Sequence, residues 1–186
     1  MRPPRRRTPA LHALLLAAVV PSGVGATGQP PTEYQVKAAF LFHFARLTVW
    51  PSEALADDQP FIIAVVGRDP FGDVLDRTMA GQTAHGRPIH LRRYASLAKL
   101  REPPHIVFVN TPRAEVAQVL ARFRTAPVLT VSDVVGFAEQ GGVVGFRLTT
   151  DQNVRFDINL AAAETHGVRI SSQVLKLARI LGGPED

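Results

Sequence analysis

No cysteine occurs among the 186 residues. Disulfides, thiolate metal sites and cysteine nucleophiles are thereby excluded, and the fold must rest on its apolar core. No apolar run approaches the roughly 20 residues that cross a bilayer as a helix. Several compact signatures are also missing: the H-E-x-x-H pair, the G-x-G-x-x-G turn, the lysine-bearing P-loop and the G-x-S-x-G elbow. No two histidines stand in an H-x-H or H-x-x-x-H spacing. A chain of this size doing zinc hydrolysis or nucleotide chemistry would carry one of these, so no enzymatic activity, cofactor or metal is expected.

What is present begins with an export pattern. Arg2, Arg5, Arg6 and Arg7 are followed by an apolar stretch at residues 11–20, then by Pro21, Ser22 and Gly23, then by the small residues Val24-Gly25-Ala26. This order is that of a secretory signal peptide, with cleavage expected near Ala26. Arg6-Arg7 is a twin-arginine pair, but Thr8-Pro9 does not suit such a signal. Cleavage changes the charge balance. The whole chain has 21 basic and 16 acidic residues; removing the four leader arginines leaves 17 against 16, a net +1. Bulk charge then gives no reason to expect nucleic-acid binding. The expected layout is a leader at 1–26, a tether at 27–32, one domain at 33–181 and a tail at 182–186. A chain of that length can bury one core.

Thr32 and Gln35 form a capping box ahead of a helix carrying Val36, Ala39, Phe40, His43, Phe44 and Leu47 at helical spacing. Leu41, Phe42 and Ala45 make its other side apolar, and Trp50-Pro51 is expected to end it. Short β-branched runs at 61–66, 89–94, 106–109, 128–131, 143–148 and 154–158 read as strands, the last two as a hairpin. Helices are expected from Asp69-Pro70 to Met79, from Thr111-Pro112 to Phe123, after Ser132, after Asn159, and from Ser171 or Ser172 to Leu181. Strands alternating with helices predict a three-layer α/β sandwich. Its sheet is mixed but mostly parallel, of about six strands, with helices on both faces.

Candidate sites are few. His43 lies on the apolar helix and reads as a helix-face or interface histidine. Gly67-Arg68-Asp69-Pro70-Phe71-Gly72 sits between strand and helix, where α/β folds bind ligands, yet it lacks a phosphate-loop fingerprint. Asp133 follows a strand, where it suits a helix start as well as a catalytic role. Asp157 and Glu164 have no evident reason to face each other. Phe42, Trp50 and Phe71 are candidate anchors of a protein interface, with Arg46, Arg92 and Arg93 at its rim, although core packing competes for the aromatics.

The blocks Glu33-Tyr34-Gln35-Val36-Lys37-Ala38-Ala39-Phe40-Leu41-Phe42-His43-Phe44-Ala45 and Trp50-Pro51 resemble the opening of the YfiR family. Gly67-Arg68-Asp69-Pro70-Phe71-Gly72 and Gly86-Arg87-Pro88-Ile89 resemble its next blocks. Leu129-Thr130-Val131-Ser132-Asp133, Phe137-Ala138, Gly141-Gly142, Phe156-Asp157-Ile158-Asn159 and Ser171-Ser172-Gln173-Val174-Leu175-Lys176-Leu177-Ala178 complete the ordered series. The resemblance implies a periplasmic regulator, tending to form homodimers. It implies repression of a membrane-bound diguanylate cyclase through that enzyme's periplasmic sensory domain, with an outer-membrane lipoprotein able to sequester the repressor. Family members often carry disulfides. Here Pro104 stands where a cysteine is common, so redox control does not carry over. A periplasmic small-molecule-binding module in another signalling or transport system is the alternative.

Overall fold

The structure is a computed structural model that describes residues 30–56 and 59–182. The expected leader, the first half of the expected tether and most of the expected tail lie outside the described residues. In chain order the elements are α1 (Glu33–Leu47), β1 (Thr48–Val49), β2 (Phe61–Gly67), α2 (Asp73–Met79), β3 (Thr83–Ala84), β4 (Arg87–Tyr94), β5 (Ile106–Asn110), α3 (Arg113–Phe123), β6 (Leu129–Ser132), β7 (Val144–Leu148), β8 (Val154–Asn159), α4 (Leu160–Thr165), β9 (Arg169–Ile170), α5 (Ser172–Leu175) and β10 (Arg179–Leu181).

The capping box forms: Thr32 Oγ1 accepts from the Gln35 N–H, and Gln35 Oε1 accepts from the Thr32 N–H. Five buried residues on α1, Lys37, Ala38, Leu41, Phe44 and Ala45, mark one helical face. The helix stops at Leu47, before Trp50-Pro51, because Thr48 turns extended and β1 pairs antiparallel with β9.

The large sheet has eight strands in the order β10-β8-β7-β6-β5-β2-β4-β3. The central pairs are parallel; only β7–β8 and β3–β4 run antiparallel. The six strands expected from sequence are all there, and the short β3 and β10 extend the sheet at its two edges. Phe61, Ile63 and Val65 of β2 point to one face, where α1, α2, α4 and α5 pack. Ala64 and Val66 point to the other, against Val116, Val119 and Phe123 of α3. Helices therefore cover both faces of a mixed sheet.

Three local expectations are corrected. Asp69 does not cap α2, which starts at Asp73. Asp69 Oδ1 instead accepts from the Phe71 N–H at 2.8 Å, a local turn that uses up the carboxylate before the helix begins. No helix follows Ser132: residues 135–141 are successive turns, although Ser132 Oγ still accepts from the Val134 N–H at 3.0 Å. The last helix ends at Leu175, residues 176–178 turn, and Ile180 and Leu181 lie on edge strand β10 alongside β8.

The chain moves from β2 to β4 on one side, then crosses to β5 on the other. Such a reversal usually opens a ligand crevice at the carboxyl ends of the strands. Here it is shut by backbone contact. The Asn110 carbonyl accepts from the Arg68 N–H at 3.1 Å, and Asn110 Nδ2 donates to the Arg68 carbonyl at 2.8 Å. A Cβ on Gly67 would lie 2.0 Å from the Asn110 oxygen.

Candidate functional site

With that crevice closed, the accessible depression shifts along the same edge of the sheet. It lies between the start of α1, the turns after β6, and the β7–β8–β10 end. The cleft has a volume of about 510 Å³. Its wall begins with Lys37, whose side chain is only 2% exposed. Placing Glu33 one turn earlier on α1 brings its carboxylate onto the Lys37 ammonium. Asp133 Oδ2, at the end of β6, accepts a second hydrogen bond from Lys37 Nζ at 2.6 Å. The same oxygen accepts from the Tyr34 hydroxyl at 3.0 Å, and the ammonium sits 4.5 Å from the centre of the Tyr34 ring. Burial first, then the Asp133 charge and hydrogen bond, push the Tyr34 phenol well above its ordinary range. A buried ammonium is tolerated only when paired in this way.

A second cluster forms the other wall. Asp157 on β8 is 7% exposed and accepts from Arg147 Nε at 3.0 Å and from Arg179 at 2.9 and 2.6 Å. Arg179 also reaches Glu139 at 3.0 Å. Burial pushes the Asp157 carboxyl up, but the hydrogen bonds and charges of Arg179 and Arg147 outweigh it and hold the group below the ordinary carboxylate range. Between the two walls the turns pack tightly on β7: a Cβ on Gly145 would lie 3.2 Å from the Ala138 nitrogen. Each charged side chain of the cleft has an oppositely charged partner, with four carboxylates sharing three cations. These pairs tie α1, β6, β8 and β10 together.

Sequence reading singled out Asp133 and missed its partners. The spacing of Glu33 and Lys37 was a usable signal for a helical ion pair. Nothing local announced that Lys37, on a helix apolar almost all round, would face inward.

The proposed interface residues divide. Trp50 and Phe71 are core residues, 4% and 3% exposed, which removes them as docking anchors. Trp50 meets Phe61 edge-on at 5.1 Å; Phe71 meets Phe108 and Tyr34 at 4.8 and 5.3 Å. Burial in a ring cluster stabilises each more than surface exposure would. Phe42 is half-buried on α1, packed against the edge of the core, with the Arg46 guanidinium 5.5 Å from its ring, and Arg46 itself is exposed. Arg92 is exposed on β4. Arg93 is tied to Asp69 at 2.6 Å and to Asp76 at 2.5 Å. His43 is exposed on α1, as a helix-face histidine. Glu164 is exposed and is not brought to Asp157.

A family model described as YfiR/HmsC-like matches residues 34–179. The chain belongs to the YfiR/HmsC-like family. The match covers α1 through the start of β10, and so includes the Lys37, Asp133 and Asp157 clusters. No curated protein matches the chain. Among the described residues no helix is long and apolar enough to cross a membrane.

Proposed function

We propose that the mature chain works in the periplasm, as a homodimer, to repress a membrane-bound diguanylate cyclase by docking on its periplasmic sensory domain. An outer-membrane lipoprotein would relieve the repression by sequestering it. The observation that carries this reading is the family match over residues 34–179; YfiR/HmsC-like membership implies a periplasmic regulator of diguanylate cyclase signalling. The arginine-rich leader ending near Ala26 supplies the export route.

A repressor of this kind needs a stable face rather than a reactive constellation. Phe42, half-buried, and the exposed Arg46 supply an aromatic–arginine pair on α1, and aromatic and arginine side chains are frequent interface anchors. Arg92 adds a charged contact. Deleting the gene should raise cyclic di-GMP only in cells that also carry the cyclase. Unchanged levels would reject the pathway. In a pull-down with the cyclase's periplasmic domain, Phe42→Ala and Arg46→Glu should each weaken capture at least tenfold, about 1.4 kcal/mol.

The cleft beside Lys37 favours a second reading, a small-molecule-binding module, because it is deep enough for a compact ligand. A thermal-shift screen of periplasmic metabolites would support it by finding a compound that raises the melting temperature.

A further inference from the structure

Strand β4 is paired along its length on one side only. β2 occupies its inner side from Ile89 to Tyr94. On the outer side β3 covers only Arg87 and Pro88, with one further bond from the Ile89 N–H to the Gln82 carbonyl. From His90 to Tyr94 no strand of the described chain lies against the outer edge. Alternate residues there present N–H and C=O groups outward, a template for one more strand.

The edge has a shaped surround. A groove of about 350 Å³ runs between it and the end of α2. Ile89 and Leu91 belong to the sheet face that packs on α2, and the groove is closed by Met79, Ala80 and Asp76, whose carboxylate is already held by Arg93. His90 and Arg92 project from the opposite face. Both are exposed, and neither has an ion pair among the described residues.

These features select the occupant. A second copy pairing edge to edge would bring the His90–Arg93 segment against itself, and like charges placed opposite each other across strands repel. A partner strand carrying carboxylates on one face and apolar side chains on the other would meet Arg92 and His90 with the first and the half-buried Leu91 with the second. The geometry points to β4 as a docking edge for an extended segment of a partner protein that alternates acidic and apolar residues, added as a further strand of the sheet. This holds whichever membrane protein is regulated.

The test uses the mature chain and a labelled seven-residue peptide alternating glutamate and valine, with a lysine–valine peptide as control, followed by fluorescence anisotropy. The acidic peptide should bind saturably and at least tenfold more tightly than the control. Arg92→Glu, at an exposed position and with an unchanged melting curve, should weaken it at least tenfold. Methylating alternate peptide nitrogens should abolish binding while leaving the charge intact. Amides between His90 and Tyr94 should gain hydrogen-exchange protection on binding. The inference fails if the two peptides bind alike, if methylation has no effect, if protection appears elsewhere, or if sedimentation shows a homodimer that Arg92→Glu dissociates.

Discussion

The Lys37 ammonium lies 2.6 Å from Asp133 Oδ2, which joins the first helix to the end of a central strand across 96 positions of chain. Glu33 is its second partner, and Tyr34 shares the same Asp133 oxygen. Breaking a buried pair strands the remaining charge. Full loss of a partner costs about 3–5 kcal/mol, and with Glu33 left in place Asp133→Ala should cost about 2–3 kcal/mol in urea unfolding. Replacing both residues, as Lys37→Met with Asp133→Leu, should cost less than Asp133→Ala alone. Asp133→Asn has an independent readout. It should lower the Tyr34 pKa toward its ordinary value of 10.0, visible by ultraviolet titration because the chain has only two tyrosines.

Much of the architecture was legible because its main elements carry period or caps. The Thr32–Gln35 box, the six β-branched runs and the Val116–Val119–Phe123 stripe of α3 all stand where the sequence puts them. Strands β1, β3, β9 and β10 did not show, because two or three residues are too few to display alternation. Asp69 looked like a cap because an aspartate before a proline serves two geometries, and only the fold decides that Arg93 and the Phe71 N–H claim it. The charge clusters were hidden for another reason. Lys37 finds Asp133, and Asp157 finds Arg179, only after the sheet has assembled.

Asp157 gives the acid side of the stability curve. Its carboxyl is held below the ordinary 3.8 in the folded chain, so the unfolded chain binds protons first as pH drops. The stability it contributes is present above pH 3.8 and lost as pH falls through the folded value. Asp157→Asn should cost about 1–3 kcal/mol at neutral pH. It should also lose less on acidification below 3.8 than the parent, which parallel urea titrations would reveal.

Gly67 has a positive φ of 95°, and an added Cβ would collide with the Asn110 carbonyl oxygen. The colliding atom is backbone, so it cannot swing away. Gly67→Ala should destabilise by more than about 3 kcal/mol, combining left-handed strain with forced separation of β2 and β5. Gly81 has a similar positive φ but open space around its Cβ position. Gly81→Ala should therefore cost only about 1 kcal/mol. Comparing the two melting curves separates collision from strain.

His105 sets the behaviour near neutral pH. Its ring stacks on Phe61 at 4.4 Å. Nδ1 accepts from the Ile62 N–H at 2.9 Å, which leaves Nε2–H to donate to the Ala54 carbonyl at 2.8 Å. A second proton has no place on Nδ1 while that bond exists. Burial lowers the His105 pKa most, and the neighbouring Arg87 and His85 lower it further; burial also lowers that of His166, which donates from Nδ1 to the Val128 carbonyl at 2.8 Å. Both groups act with the same sign. Below 6.5 the unfolded chain takes up protons that the folded chain refuses, so stability is complete above 6.5 and declines as pH falls toward the folded values. The slope reaches at most about 1.4 kcal/mol per pH unit for each histidine. His105→Asn should be less stable than the parent at slightly alkaline pH, by about 1–2 kcal/mol, through loss of the two pinning bonds. Its stability should nevertheless decline less steeply on mild acidification, and combining it with His166→Asn should flatten the curve further. An unchanged slope in the double variant would place the titrating group elsewhere.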